Sequence, residues 1–202
     1  MLDEEVIYKA MGYSFYEMLK KKNVVFEGWS DKRTFQIWLA SNQLSTAEKS
    51  KWKSIGLVHA FGAKDVQRVS GHLEDFDREY LIISDADKPA LDWQKRFEGK
   101  GSWLTYKDLG FADKDTIEDF LSEIYVNELI MSVLKKEQLT DGVVIPDGVT
   151  FNLKLEYIKS TLNLDKPESE RIKRLIKNAI FESLKSDKIE LKDLFNKINE
   201  KI

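Results

Sequence analysis

Val24-Val25-Phe26-Glu27-Gly28-Trp29-Ser30-Asp31 is an apolar run that stops abruptly at an acid and a glycine. Three successive β-favouring residues suit a strand buried on both faces, and Ser30-Asp31 reads as a helix cap ahead of Phe35, Ile37, Trp38 and Leu39. The stretch therefore predicts strand, tight turn and helix.

Downstream the unit repeats in kind. Ile55 to Phe61 reads as a second strand with Gly62 as its turn, and Asp65 to Phe76 as a helix with Val66, Val69 and Leu73 on one stripe. Tyr80 to Ser84 predicts a third strand that runs straight into Asp85-Ala86-Asp87. A helix from about Pro89 to Phe97, a short strand near Ser102 to Tyr106 and a long helix over Thr116 to Lys136 follow. This alternation predicts an α/β fold with a central parallel sheet covered by helices on both faces.

Beyond the turn-rich segment 140–148 the pattern is wholly helical, with helices at about Phe151 to Leu162, Glu168 to Leu184 and Leu191 to Ile202. Upstream, Val6, Ile7, Met11, Phe15, Met18 and Leu19 recur at helical intervals. The expected organisation is a helical lead-in over 1–22, a core over 23–140 and a C-terminal helical region over 150–202 that completes or flanks the core.

Bulk properties narrow the function. At 202 residues, with 42% hydrophobic and 33% charged residues, the chain can bury one ample core. A net charge of -3 means that any polyanion surface must come from local clusters of lysine and arginine. With no cysteine, a disulfide framework, a thiolate zinc site and a cysteine nucleophile are excluded. No signal-peptide pattern or membrane-length apolar run is present, which predicts a cytoplasmic protein without membrane contact.

Four patterns fall where an open α/β sheet places its ligands, at the carboxyl ends of strands. They are Glu27-Gly28-Trp29-Ser30-Asp31, Gly62-Ala63-Lys64-Asp65, Asp85-Ala86-Asp87 and Thr116-Ile117-Glu118-Asp119. Glu27, Asp31, Asp85, Asp87 and Glu118 then share one crevice. Each alone has an ordinary explanation: a cap for Asp31, a solvated turn for Asp85 and Asp87, a helix first turn for Glu118. Glu27 resists one, because an acid at the end of a buried strand is costly without a partner. Crowded carboxylates raise one another's pKa unless a cation sits among them, and oxygen-only ligands suit Mg²⁺, Mn²⁺ or Ca²⁺.

In this order and strand context, the four patterns resemble the Toprim domain. Phe26-Glu27-Gly28-Trp29-Ser30-Asp31-Lys32 and Ile117-Glu118-Asp119-Phe120 are most similar to the overcoming-lysogenization-defect nucleases. The resemblance covers about Asn23 to Leu121. It implies a Rossmann-like Toprim fold and a two-metal DNA endonuclease active in antiviral defence. It further implies that Glu27, Asp31, Asp85, Asp87 and Glu118 are metal ligands, with Glu27 and Asp85 catalytic. A late lysine near the scissile phosphate is also implied, for which Lys188 is the first choice and Lys177 the second.

Such nucleases carry an ATPase domain, yet no G-x-x-x-x-G-K-[ST] loop occurs here. The ATPase is then expected on another polypeptide, or on a preceding part of a longer protein. A rival reading is a catalytically silent Toprim module that docks an ATPase partner through the helical tail and the early helix; the stripes Ile172, Leu175, Ile176 and Ile180, and Leu191, Leu194, Phe195 and Ile198, would serve such an interface or a core equally well. An RNA-directed nuclease and a homo-oligomer are compatible with the same residues. Trp29 is a candidate to stack on a base, and Lys32, Arg33, Lys49, Lys51, Lys53 and Lys64 to line a phosphate path. His59 and His72 have no ligand partner at useful spacing.

Overall fold

The computed structural model describes residues 20–202. The expected lead-in helix lies outside the described residues except at its end, where Lys22 opens a strand instead. Four strands, β1 (Lys22–Phe26), β2 (Ile55–His59), β3 (Glu79–Ser84) and β4 (Ser102–Thr105), form one all-parallel sheet in the order β2-β1-β3-β4. Phe26 pairs with both His59 and Ile83, so the first three strands end level and deliver their following loops to one edge.

Two-residue alternation sends each strand's side chains to opposite faces. Val25, Val58, Ile82 and Trp103 pack with Val66, Val69 and Leu73 of α3 (Val66–Asp75), given that α1 (Trp29–Leu39) and α2 (Thr46–Trp52) precede it, and with Ala90 of α4 (Lys88–Gln94). On the other face Val24, Phe26, Leu81 and Ile83 join α1 and α2 in a second core. That core also takes in α5 (Glu123–Lys136), α6 (Phe151–Thr161), α7 (Lys166–Ser183) and α8 (Lys192–Lys201). The architecture is the expected α/β one: a Rossmann-like core with added C-terminal helices.

The C-terminal region packs back on the sheet. Phe195 of α8 lies 4.9 Å from Trp38 and 5.2 Å from Trp52 between ring centroids, and Trp52 lies 5.2 Å from Phe35. Each such aromatic pair contributes roughly 0.5–1.5 kcal/mol beyond its buried area. The stripes proposed for a docking partner are consumed here: Ile172, Ile176, Ile180, Leu191, Leu194, Phe195 and Ile198 are all buried, and Leu175 packs against them.

Three local expectations need correction. The helix α1 begins at Trp29 with Gly28 as its N-cap, so Asp31 lies inside the first turn and caps nothing. The long helix expected over Thr116 to Lys136 is broken: Ile117–Phe120 is a 3₁₀ turn, Leu121 is extended, and α5 starts at Glu123. Pairing with a distant segment overrides helical periodicity there, because Leu121 bridges Ile189 while Glu190 N donates to Phe120 O at 2.8 Å and Ser122 N to Lys188 O at 2.9 Å. The short helix α2 was not foreseen, although its capping box is legible as Ser45-x-x-Glu48, with Glu48 N donating to Ser45 Oγ and Ser45 N to Glu48 Oε2.

Candidate functional site

The level ends of the strands bring the acids together. Glu27 follows β1 directly, and its backbone is held from both sides, its N–H donating to Ile83 O at 3.1 Å and its carbonyl accepting from Gly62 N at 3.1 Å. Gly62 has a φ of 103°, a backbone conformation that costs glycine little, and this lets the β2 loop fold under Glu27. Asp85 follows β3 directly. The loop after it is tied to the fourth pattern by Ala86 N donating to Asp115 O at 2.8 Å, which sets Glu118 in its 3₁₀ turn beside the other acids.

Asp31 is buried, and its Oδ1 accepts a 2.8 Å hydrogen bond from the hydroxyl of Tyr106, itself fully buried one residue beyond β4. Tyr106 is the functional neighbour that motif reading missed. Its place at the carboxyl end of a strand was the available signal. Tyr106 also meets Phe120 edge-on at 5.0 Å, linking α1 to the 3₁₀ turn that bears Glu118. Gly28 allows this arrangement through its lack of a side chain: a Cβ there would lie 2.9 Å from Asp31 Oδ2.

Glu118 is almost wholly buried, and its Oε1 lies 2.8 Å from Lys177 Nζ, carried in from α7. Its neighbour Asp119 faces elsewhere: Oδ2 accepts from Asp115 N at 2.8 Å and Thr116 N at 3.0 Å, and Oδ1 from Phe151 N at 2.6 Å at the start of α6. Asp87 caps α4, its Oδ1 accepting from Ala90 N at 2.9 Å. Lys188 Nζ stands 3.2 Å from Asp187 on the surface, so it is Lys177, the second choice, whose ammonium is brought to the acids.

Electrostatics join all five acids into one group. Burial, then repulsion from Asp31 and Asp87, pushes Glu27 up to about 7, partly offset by the backbone of Ala63 and Asp85. Burial pushes Asp31 up to about 6, with the Tyr106 hydrogen bond and Lys177 opposing and Glu118 reinforcing. Burial and the charges of Asp31, Glu118 and Glu27 hold Asp85 well above the ordinary carboxylate range. Burial works against the charged form of Lys177, but the pull of Glu118, Asp85 and Asp31 outweighs it and raises its pKa. One ammonium thus faces a cluster of mutually repelling carboxylates.

This donor set suits a hard divalent cation in kind. All five side chains offer oxygen, and Glu27 Oε2, Asp85 Oδ1 and Glu118 Oε2 are buried without a hydrogen-bond partner among the described residues. Among the described residues, no three His, Cys, Asp or Glu side chains stand close enough together to hold a metal ion. Beside Glu118 a cavity of about 430 Å³ opens toward Lys114, Glu123, Lys154 and Glu190.

The remaining candidates divide. Trp29 is half-buried in the first turn of α1. His59 packs edge-on against Phe61 at 5.2 Å. Among the described residues no helix is long and apolar enough to cross a membrane. Compared with known proteins, the chain matches no family model, no curated protein and no solved structure.

Proposed function

We propose that the chain is a divalent-cation-dependent DNA endonuclease of the Toprim kind, working at the carboxyl edge of its parallel sheet. The observation that carries this reading is the convergence of Glu27, Asp31, Asp85, Asp87 and Glu118 on that edge, with buried carboxylate oxygens that have no protein partner. Glu27, Asp31, Asp85, Asp87 and Glu118 would hold Mg²⁺ or Mn²⁺, which when bound activates water and neutralises charge on a scissile phosphate.

The chain's own residues do the rest. Tyr106 fixes the orientation of Asp31 through the 2.8 Å hydrogen bond, and Gly28 leaves room for that carboxylate. Lys177 supplies a fixed positive charge next to Glu118, in place to attract and steady an anionic substrate. Burial keeps bulk water from screening these charges.

Relaxation of supercoiled plasmid tests the reading. Nicking that requires added Mg²⁺ or Mn²⁺ and disappears in Asp85→Asn is the expected result. Cleavage that persists in a clean preparation of that variant, or a chain inert with either ion, would sink the proposal. An RNA-directed nuclease shares every residue, and a labelled RNA in the same assay separates it.

A further inference from the structure

On the side of α1 facing away from the acids lies an open groove of about 810 Å³ between α1 and α2. Arg33, Gln36 and Ala40 form one wall at helical spacing, Lys49 and Lys53 the other, and Trp52 contributes to the floor. No carboxylate lines it among the described residues, although acids outnumber bases in the chain as a whole. Arg33 and Lys53 are exposed and Lys49 half-exposed.

Two details mark this groove as more than a solvated surface. Lys49 and Lys53 stand four residues apart at the carboxyl end of α2, on the side that lines the groove. By contrast, the neighbouring Lys51 is turned away to Asn199, 2.7 Å from its Oδ1. Trp52, buried in the floor, carries an indole N–H with no acceptor among the described residues.

We infer that this groove holds the sugar-phosphate backbone of the DNA flanking the cleavage point, an inference that rests on the nuclease reading above. Arg33 opens the second turn of α1, two residues after Asp31, so a strand leaving the groove toward the start of that helix arrives at the acids. Cations on both walls suit successive phosphates, and the apolar floor of Ile37 and Trp52 suits the sugars between them.

The test is equilibrium binding of a short fluorescein-labelled duplex in EDTA across roughly 50 to 200 mM salt. Replacing Arg33, Lys49 and Lys53 together by alanine weakens binding at least about tenfold, and lowers the slope of log K against log salt by about three. Arg33→Ala and Lys53→Ala singly each lower the slope by about one. Mg²⁺ titration of the triple variant matches the unsubstituted chain, because no acid is touched. A triple variant with unchanged affinity and slope overturns the groove. A chain that binds DNA through the groove yet never nicks it sinks the nuclease reading alone. Tighter binding of RNA of the same sequence overturns the assignment to DNA.

Discussion

Lys177 Nζ and Glu118 Oε1 lie 2.8 Å apart, joining a helix near the end of the chain to a turn beyond the sheet, with the Glu118 side chain completely buried and that of Lys177 about one-third exposed. The pair is the point at which the C-terminal helices enter the site. Removing the ammonium leaves a buried carboxylate uncompensated. Lys177→Met therefore destabilises the fold by about 2–4 kcal/mol in urea unfolding, and adding Glu118→Gln recovers most of the loss. A double variant no more stable than Lys177→Met contradicts the pairing.

Lys188 provides the contrast. Its ammonium sits on the surface beside Asp187, an exposed neighbour. Lys188→Ala shifts stability by less than about 0.5 kcal/mol and leaves plasmid nicking intact, whereas Lys177→Met abolishes it. Loss of nicking in Lys188→Ala with Lys177→Met still active would reverse the assignment.

The acid cluster gives stability a defined pH dependence. Glu27 and Asp31 titrate in the folded protein at about 7 and about 6, above their ordinary values of 4.5 and 3.8. The folded state thus binds these protons more tightly than the unfolded one. The stabilisation is fully present below about pH 4 and is lost as pH rises through 6 and 7. In EDTA the melting temperature falls between pH 5 and pH 8, by the equivalent of about 4 kcal/mol. Asp85→Asn flattens the fall by removing a third carboxylate whose pKa burial raises. A melting temperature that rises over this window refutes the cluster.

Tyr106→Phe removes one hydroxyl from a buried site and leaves Asp31 Oδ1 without its donor. The expected cost is about 1–2 kcal/mol of stability, together with a tenfold to hundredfold loss of Mg²⁺ affinity by calorimetry. Unchanged affinity would reduce Tyr106 to a packing residue.

The fold was largely legible because strands buried on both faces leave continuous apolar runs, as in Val24-Val25-Phe26 and Tyr80-Leu81-Ile82-Ile83. The acids were legible because each follows a strand or opens a turn. Lys177 was only the second choice among the late lysines, since what selects it is the packing of α7, with Ile172, Ile176 and Ile180 turned inward. The break at Leu121 was hidden for a related reason: its cause, Ile189, lies far away in sequence. Local pattern carries no information about such a partner.

The chain order of the site has a consequence for its biosynthesis. Every repelling acid has been made once Glu118 leaves the ribosome, but the counter-charge comes only with Lys177, and the segment that bridges Leu121 comes later still. A nascent chain stopped between these points holds all five carboxylates without the Lys177 ammonium. Completion of the C-terminal helices is therefore what brings Lys177 to Glu118 and Ile189 to Leu121, and premature termination products lack both contacts.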